Sequence, residues 1–326
     1  MSKETIELLN ATKPEDTVIE LDHVTKDYGQ GRGIFDVSFK IPRGKVFGYC
    51  GTNGSGKTTT IRHIMGFIKP DSGTVKVNGL NPWRDGEEIK KSIGYLPGEI
   101  AFPAVENGSI FLKTQAEMIN LQDMSKAEKM INALQLDPTA NLRRMSKGMK
   151  QKTAIVATFM ASPDIIILDE PTTGLDPLMR DVFIDILEEE KARGATVLMS
   201  NHMFDELDET CDYVGFIKDG HLIDIVDMKD IHQRPIKEYM VGFNKKGEFN
   251  KAFKGKQFEV LHRSENLLSI IVKINIKNTG PFLAELEKYD IKNVTEIKYT
   301  LERYFLEHFG GNTNGSDNAA DISANK

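Results

Sequence analysis

The run Gly51-Thr52-Asn53-Gly54-Ser55-Gly56-Lys57-Thr58 has the residue types and spacing of a loop that wraps phosphate, G-x-x-x-x-G-K-[ST]. Glycines let backbone N–H groups turn inward around phosphate oxygens, and a helix opening directly afterwards aims its N-terminus at the same charge. In such a loop Lys57 bridges β- and γ-phosphates, the Thr58 hydroxyl ligates Mg²⁺, and Thr59 completes the nucleotide-binding run. A second constellation, Ile165-Ile166-Ile167-Leu168-Asp169-Glu170, reads as a buried strand ending in two acids, which a sheet delivers to its carboxyl edge. Asp169 would hold Mg²⁺, usually through its water, and Glu170 would polarise an attacking water. Together these elements specify a P-loop nucleotidase and nothing narrower.

The surrounding pattern must place both at one edge. Residues 17–23 and 34–41 alternate apolar and polar residues as half-buried strands do. Lys45 to Cys50 is a nearly continuous apolar run, and Thr58 to Phe67 has helical spacing of Ile61, Ile64 and Met65, so the phosphate loop joins strand to helix. Gly73 to Asn78, Ser92 to Leu96, Ile165 to Leu168 and Ala195 to Ser200 supply further strands. Between Asn107 and Ala161 helix formers dominate, with Ser125 and Glu128 spaced as a capping box for a helix to Leu136. Asp176-Pro177 is an N-cap and first-turn pair for a helix to Arg193, closed by Gly194. Residues 213–226 read as a hairpin turning at Asp219-Gly220.

After about residue 230 the pattern restarts. Strands are expected over Ile236 to Phe243, Phe258 to His262, Leu268 to Ile276 and Val294 to Lys298, with helices over Phe249 to Phe253 and Pro281 to Tyr289. That order is the one a ferredoxin-like domain gives. Thr300 to Phe309 reads as a closing amphipathic helix. The expected fold class is α/β, a P-loop cassette with a helical insertion (about 107–161) and a smaller C-terminal α+β domain. The expected divisions are 1–16 a flexible extension, 17–229 the nucleotide-binding domain, 230–309 an accessory domain and 310–326 a disordered tail.

Composition narrows the class. With 42 Lys+Arg against 48 Asp+Glu the net charge is −6, a poor footprint for a general nucleic-acid binder. The 2 cysteines, Cys50 and Cys211, stand in unrelated contexts and make neither a disulfide framework nor a metal cluster; a reducing cytosol fits. Cys50, in an apolar run, reads as a small buried hydrophobe. Residues 1–16 lack the apolar core of a signal peptide, and no stretch approaches the roughly 20 apolar residues of a spanning helix.

Three further motifs fall between and after the first two. They are Met145-Ser146-Lys147-Gly148-Met149-Lys150-Gln151, then Pro171-Thr172-Thr173-Gly174-Leu175-Asp176, then Ser200-Asn201-His202 at a strand end. In this order and spacing the sequence resembles the ATP-binding-cassette family across about residues 17–226. The resemblance implies that Tyr28 stacks on adenine, and that Ser146 and Gly148 hold the γ-phosphate of ATP bound to the opposite subunit. It also implies that the Asp176 acid links the two sites and that His202 contacts the γ-phosphate. The implied cofactors are ATP and Mg²⁺. The implied catalytic set is Glu170, His202 and Lys57, and the implied metal set is Thr58 and Asp169.

Two departures stand out. Where the family usually has Gln after a strand, this chain has Tyr95-Leu96-Pro97-Gly98-Glu99, and Gly98 cannot supply that side chain's contacts. The Ser146 motif also diverges, with Met145, Lys147 and Met149 at positions usually held by Leu, Gly and Gln. The Ser-Lys-Gly-Met-Lys-Gln and Leu-Pro-Gly-Glu versions, with the ending Thr300 to Leu306, are similar to the bacitracin-type and multidrug exporter branch. The resemblance therefore implies a head-to-tail homodimer energising a separate integral membrane transporter subunit, at the cytoplasmic face of the membrane. Ile100 to Val105 reads either as a loop tucked into the helical insertion or, as the resemblance implies, as the stretch that meets that subunit, and no nucleic-acid partner is expected. The rival readings are an importer's ATPase, a regulatory module, or a soluble cassette of translation or DNA maintenance. Soluble translation factors of the family carry two cassettes per chain and the chromosome-maintenance relatives a long coiled coil; this chain has one phosphate loop and no such heptad run.

Overall fold

The computed structural model describes Thr5, Leu9, residues 12–255 and residues 257–309. They form two compact units that divide between Met228 and Lys229.

In the first unit, β1 (Thr17–Asp27), β2 (Gly33–Pro42) and β4 (Ser72–Val77) form an antiparallel sheet in the order β2-β1-β4. The larger sheet runs β5-β6-β7-β3-β8-β9, from β3 (Val46–Cys50), β5 (Ile93–Leu96), β6 (Ile165–Asp169), β7 (Thr196–Asn201), β8 (Tyr213–Lys218) and β9 (His221–Asp227). All its pairings are parallel except β8 with β9. Strands covered on both faces lose the apolar–polar alternation. Accordingly every residue of β3, β6 and β7 is buried. Full burial of one Val, Leu, Ile or Phe side chain is worth about 1.5–3 kcal/mol, so Phe47, Ile167 and Leu198, all 0% exposed, anchor the sheet from three adjacent strands.

The order has a direct consequence for the site. Neighbours β5, β6, β7 and β3 all point the same way, so their C-terminal ends lie side by side. In that row stand Pro97-Gly98, Asp169-Glu170, Asn201-His202 and the phosphate loop, at the edge where α/β proteins bind ligands.

Helices Gly108–Met118, Ser125–Ala133 and Lys147–Phe159 make up the insertion between β5 and β6. The expected capping box is corrected here. Ser125 is the first helical residue, Met124 sits at the N-cap without a side-chain bond, and Asp123 Oδ1 accepts from the Ser125 N–H at 2.9 Å. An Asp two residues upstream has taken the backbone donor, and the helix ends at Ala133 rather than Leu136. The helix Pro177–Arg193 keeps its expected bounds: Asp176 accepts from the Met179 N–H and Gly194 closes it at φ 93°. In the β8–β9 hairpin Asp219 (φ 50°) and Gly220 (φ 79°) adopt the paired left-handed geometry of a tight turn.

The expected flexible extension over 1–16 is also corrected for its described residues. Thr5 and Leu9 are helical and buried, and Leu9 joins the core cluster of Val18, Ile19 and Phe39. The apolar Leu9 gains more from that burial than the polar composition around it suggests.

The second unit has β10 (Ile236–Phe243), β11 (Glu259–Ser264), β12 (Ser269–Asn275) and β13 (Ile291–Ile297) in the antiparallel order β11-β12-β10-β13. Helices Lys246–Phe249 and Thr279–Leu286 follow β10 and β12, which gives the connectivity and sheet order of a ferredoxin-like fold. The first helix starts three residues earlier in the chain than the sequence pattern suggests, and β13 likewise starts at Ile291. Phe249, Phe253, Phe258 and Phe282 form its core with Val241 and Ile270. Helix Leu301–Phe309 follows β13. The expected tail 310–326 lies outside the described residues. Among the described residues no helix is long and apolar enough to cross a membrane.

Candidate nucleotide site

The phosphate loop leaves β3 at Gly51 and closes into helix Lys57–Ile64 through Gly56, whose φ of 113° is a left-handed geometry that disfavours a side chain. Gly51 has no room for one either: a Cβ there would meet the Ile217 carbonyl oxygen and Ser55 Oγ, each at 2.5 Å. The loop is thereby held against β8, and the Gly220 N–H donates to the Ser55 carbonyl at 2.9 Å. Thr52, Asn53 and Gly54 face solvent, and Thr59 is half-buried in the first helical turn. Ser55 Oγ is buried without a hydrogen-bond partner. A lone buried hydroxyl inside a glycine cradle is a donor and acceptor suited to a phosphate oxygen.

Lys57, 5% exposed, turns back over the loop, and its Nζ donates to the Gly51 and Thr52 carbonyls at 2.7 and 3.2 Å. The same ammonium lies 3.7 Å from Glu170 Oε1. Thr58 Oγ1 donates to Asp169 Oδ2 at 2.8 Å, and Ser200 Oγ donates to Asp169 Oδ1. His202 Nδ1 stands 3.7 Å from Glu170 Oε1. Lys57, Thr58, Asp169, Glu170 and His202 thus form one connected cluster across three strand ends.

Glu170 has the left-handed φ of 50°, a strained geometry for a residue with a side chain. Its N–H is pinned by the Ser200 carbonyl at 3.1 Å and by Ser200 Oγ at 3.2 Å. Ser200 is therefore a positioning residue that sequence reasoning passed over. It pairs directly with Asp169 in the β6–β7 register, and strand adjacency was the missing information. The Tyr95 phenol, on β5 next door, has its pKa pushed up to about 12, by burial first and then by the Asp169 charge. A Cβ on Gly98 would lie 3.4 Å from the Asp169 carboxyl, so this position does face the site, and here it presents backbone alone.

The remaining predicted residues are placed elsewhere. Ser146 Oγ caps helix Lys147–Phe159 by accepting from the Met149 N–H at 3.2 Å. Gly148 abuts the turn that follows Glu170, where a Cβ would stand 2.8 Å from the Gly174 carbonyl oxygen. Buried Gln151 donates Nε2 to the Pro171 carbonyl of that turn. Asp176 ends the turn as the N-cap already described. Tyr28 lies in the β1–β2 turn, 46% exposed, with Lys26 Nζ 5.9 Å from its ring centroid. Gly33, at the other end of that turn, lies against Gly56.

A glycine loop between a central parallel strand and a helix, with a Thr–carboxylate pair and a second acid beside it, defines the P-loop nucleotidase class. The family model described as ABC transporter matches residues 34–173. The chain is 30% identical over 309 residues to the ABC transporter ATP-binding protein YhcH of Bacillus subtilis (strain 168), itself described as uncharacterized, covering 90% of this chain and 96% of that one. It is 28% identical to the bacitracin transport ATP-binding protein BcrA of Bacillus licheniformis, covering 92% and 99%. A solved ATP-binding subunit of an ABC transporter superposes with a TM-score of 0.60 at 28% identity, over 67% of this chain and 92% of that one. The chain belongs to the ABC transporter family as an ATP-binding subunit, and it is an ATPase of that family.

Proposed function

We propose that this subunit hydrolyses MgATP as one half of a head-to-tail homodimer and so drives a separate integral membrane subunit of an exporter at the cytoplasmic face. One observation carries the reading. Within the chain Thr58, Asp169, Glu170 and His202 gather at the phosphate loop, whereas Ser146 caps its own helix and Gly148 packs on Gly174. A two-fold partner can present its Ser146-Lys147-Gly148 to the loop without either chain refolding, and closed two-fold dimers are the commonest assembly.

Thr58 and Asp169 offer two hard oxygens at 2.8 Å, a donor pair suited to Mg²⁺ with phosphate oxygens completing the shell. When bound, that ion would neutralise charge on the phosphates. Lys57 would release the Gly51 and Thr52 carbonyls and bind phosphate oxygens instead. Glu170 would orient and deprotonate the attacking water, and His202 would hold the γ-phosphate side of the site. No covalent intermediate is needed, because catalysis is positioning and charge stabilisation. Tyr28 would stack on adenine. Closing and reopening of the dimer would move the membrane subunit between its states. Phe102, half-buried with its ring 4.8 Å from that of Phe111, would anchor the 100–105 stretch where that subunit docks. Residues 230–309 would be an accessory domain outside the nucleotide chemistry. Export is supported by the likeness to the bacitracin transport protein across nearly the whole chain.

Mixing Lys57→Ala with Ser146→Arg subunits, each inactive alone, should restore one working site per heterodimer. Confirmed heterodimers that stay inactive would count against the shared site. Affinity purification from membranes should recover an integral membrane protein. ATP-driven uptake into inside-out vesicles would support export, and ATP-driven release from them would refute it.

A further inference from the structure

Glu206 lies on helix Phe204–Thr210, outside the cluster that meets nucleotide, yet it is 3% exposed. Its Oε2 accepts two hydrogen bonds: one from Thr172 Oγ1 at 2.7 Å and one from Asn201 Nδ2. Thr172 belongs to the turn that runs from Glu170 to Asp176. Asn201, 2% exposed, is the last residue of β7 and immediately precedes His202. Glu206 is therefore a buried acceptor common to the two segments that leave β6 and β7.

The Asn201 amide has two ends, and the bond to Glu206 decides which way it faces. With Nδ2 given to Glu206, Oδ1 points at the backbone and accepts from the His202 N–H at 2.7 Å and the Met203 N–H at 2.9 Å. These are donors that a strand end otherwise leaves without a partner. Arg180, on the helix that Asp176 caps, lies 3.8 Å from Glu206 Oε1, an atom that is buried and makes no hydrogen bond of its own. An apolar side chain at 206 would remove the common acceptor and free the Asn201 amide to rotate.

We propose that Glu206 is a positioning residue that holds the His202 backbone in register and ties it to the Glu170–Asp176 turn, so that the two segments move together. The consequence for hydrolysis rests on the His202 role proposed above; the positional claim does not. A buried polar network of this kind is informative because each member is oriented by the next.

The test uses the full-length chain carrying Glu206→Leu, Glu206→Gln or His202→Ala, and the two double variants. Hydrogen–deuterium exchange is read at the His202 and Met203 amides, and ATP hydrolysis and ATP affinity are measured in parallel. Glu206→Leu should speed exchange at both amides about tenfold, the scale of one lost hydrogen bond. It should lower kcat on the order of 10²-fold at unchanged ATP affinity, the scale of an ångström's misplacement. Glu206→Gln, whose carbonyl oxygen can accept both bonds, should restore most of each. In the His202→Ala background Glu206→Leu should cost nothing further in kcat. Unchanged exchange at both amides in Glu206→Leu would overturn the proposal, as would an equal loss of kcat with and without His202. Loosened amides in Glu206→Leu beside a fully active His202→Ala would support the positioning and refute the catalytic role of His202. If Glu206→Leu fails to accumulate, Asn201→Ala removes the same two backbone acceptor bonds and carries the same expectations.

Discussion

The Thr58 hydroxyl donates to Asp169 Oδ2 at 2.8 Å across 111 residues of sequence. One group opens a helix and the other ends a strand, and parallel pairing of β3 to β7 and β7 to β6 closes the distance. Lys57, Glu170, Ser200 and His202 take their positions around that pair from the same three strands.

Glu170→Gln should retain ATP binding while turnover falls about 10²–10⁴-fold, the usual contribution of a general base. Its Oε1 lies 3.7 Å from both Lys57 Nζ and His202 Nδ1, so the neutral amide also removes a charge that phosphate must displace. The ATP-bound dimer should consequently persist. Steady-state hydrolysis and sizing in ATP check this; turnover within a few-fold of the parent removes Glu170 from the role.

Gly51→Ala and Gly54→Ala should differ. A Cβ at Gly51 meets the Ile217 carbonyl and Ser55 Oγ at 2.5 Å, whereas at Gly54 it meets nothing within 4 Å and only the φ of 82° opposes it. The first should lower stability by about 1–3 kcal/mol, as overpacking does. The second should cost about 1–2 kcal/mol, the left-handed penalty alone. Thermal unfolding gives the ranking, and the nucleotide affinity of Gly51→Ala should fall with its stability.

Cys50 and Cys211 should resist alkylation in the folded protein. Burial pushes each thiol up to about 12, so neither supplies appreciable thiolate at pH 8. In the unfolded chain both would ionise near pH 8.5, binding fewer protons than the folded state between there and about 12. Their contribution therefore weakens stability as pH rises through that window. Two reactive thiols under denaturing conditions and none in buffer is the expected count. Rapid labelling of native protein would contradict the burial.

A chain ending at Lys229 should remain soluble and hydrolyse ATP, because every residue assigned to the chemistry precedes 203 and the first compact unit ends at Met228. Comparing its specific activity with that of the whole chain tests whether residues 230–309 stand apart from hydrolysis. An insoluble or inactive product would mean that they complete the cassette or its dimer.

Much of the site was legible because its residues sit in contiguous runs. The phosphate loop and the Ile165–Glu170 strand carry their own context, apolar run before and helix or turn after. Asp176-Pro177 and Gly194 likewise fixed a helix through purely local chemistry. Ser200 and Glu206 were not legible in this way. Ser200 acts through Asp169, and Glu206 joins nearby Asn201 to Thr172, a residue distant in sequence; nothing in a local window announces strand adjacency. The Ser125 capping box failed for the opposite reason. Its local pattern was sound, but Asp123 stood two residues earlier and reached the Ser125 N–H first.

The row of parallel strand ends also sets where this chain can gain or lose residues. A deletion between 97 and 164 changes the length of an excursion that leaves β5 and returns to β6, and the paired strands keep their alignment. A deletion of one residue inside 165–169 or 196–201 slides that strand against its neighbours and turns each following side chain to the opposite face. Asp169 would then no longer stand beside Ser200, nor Asn201 beside Cys50. Length variation among natural variants should therefore collect in the insertion and be absent from β6 and β7.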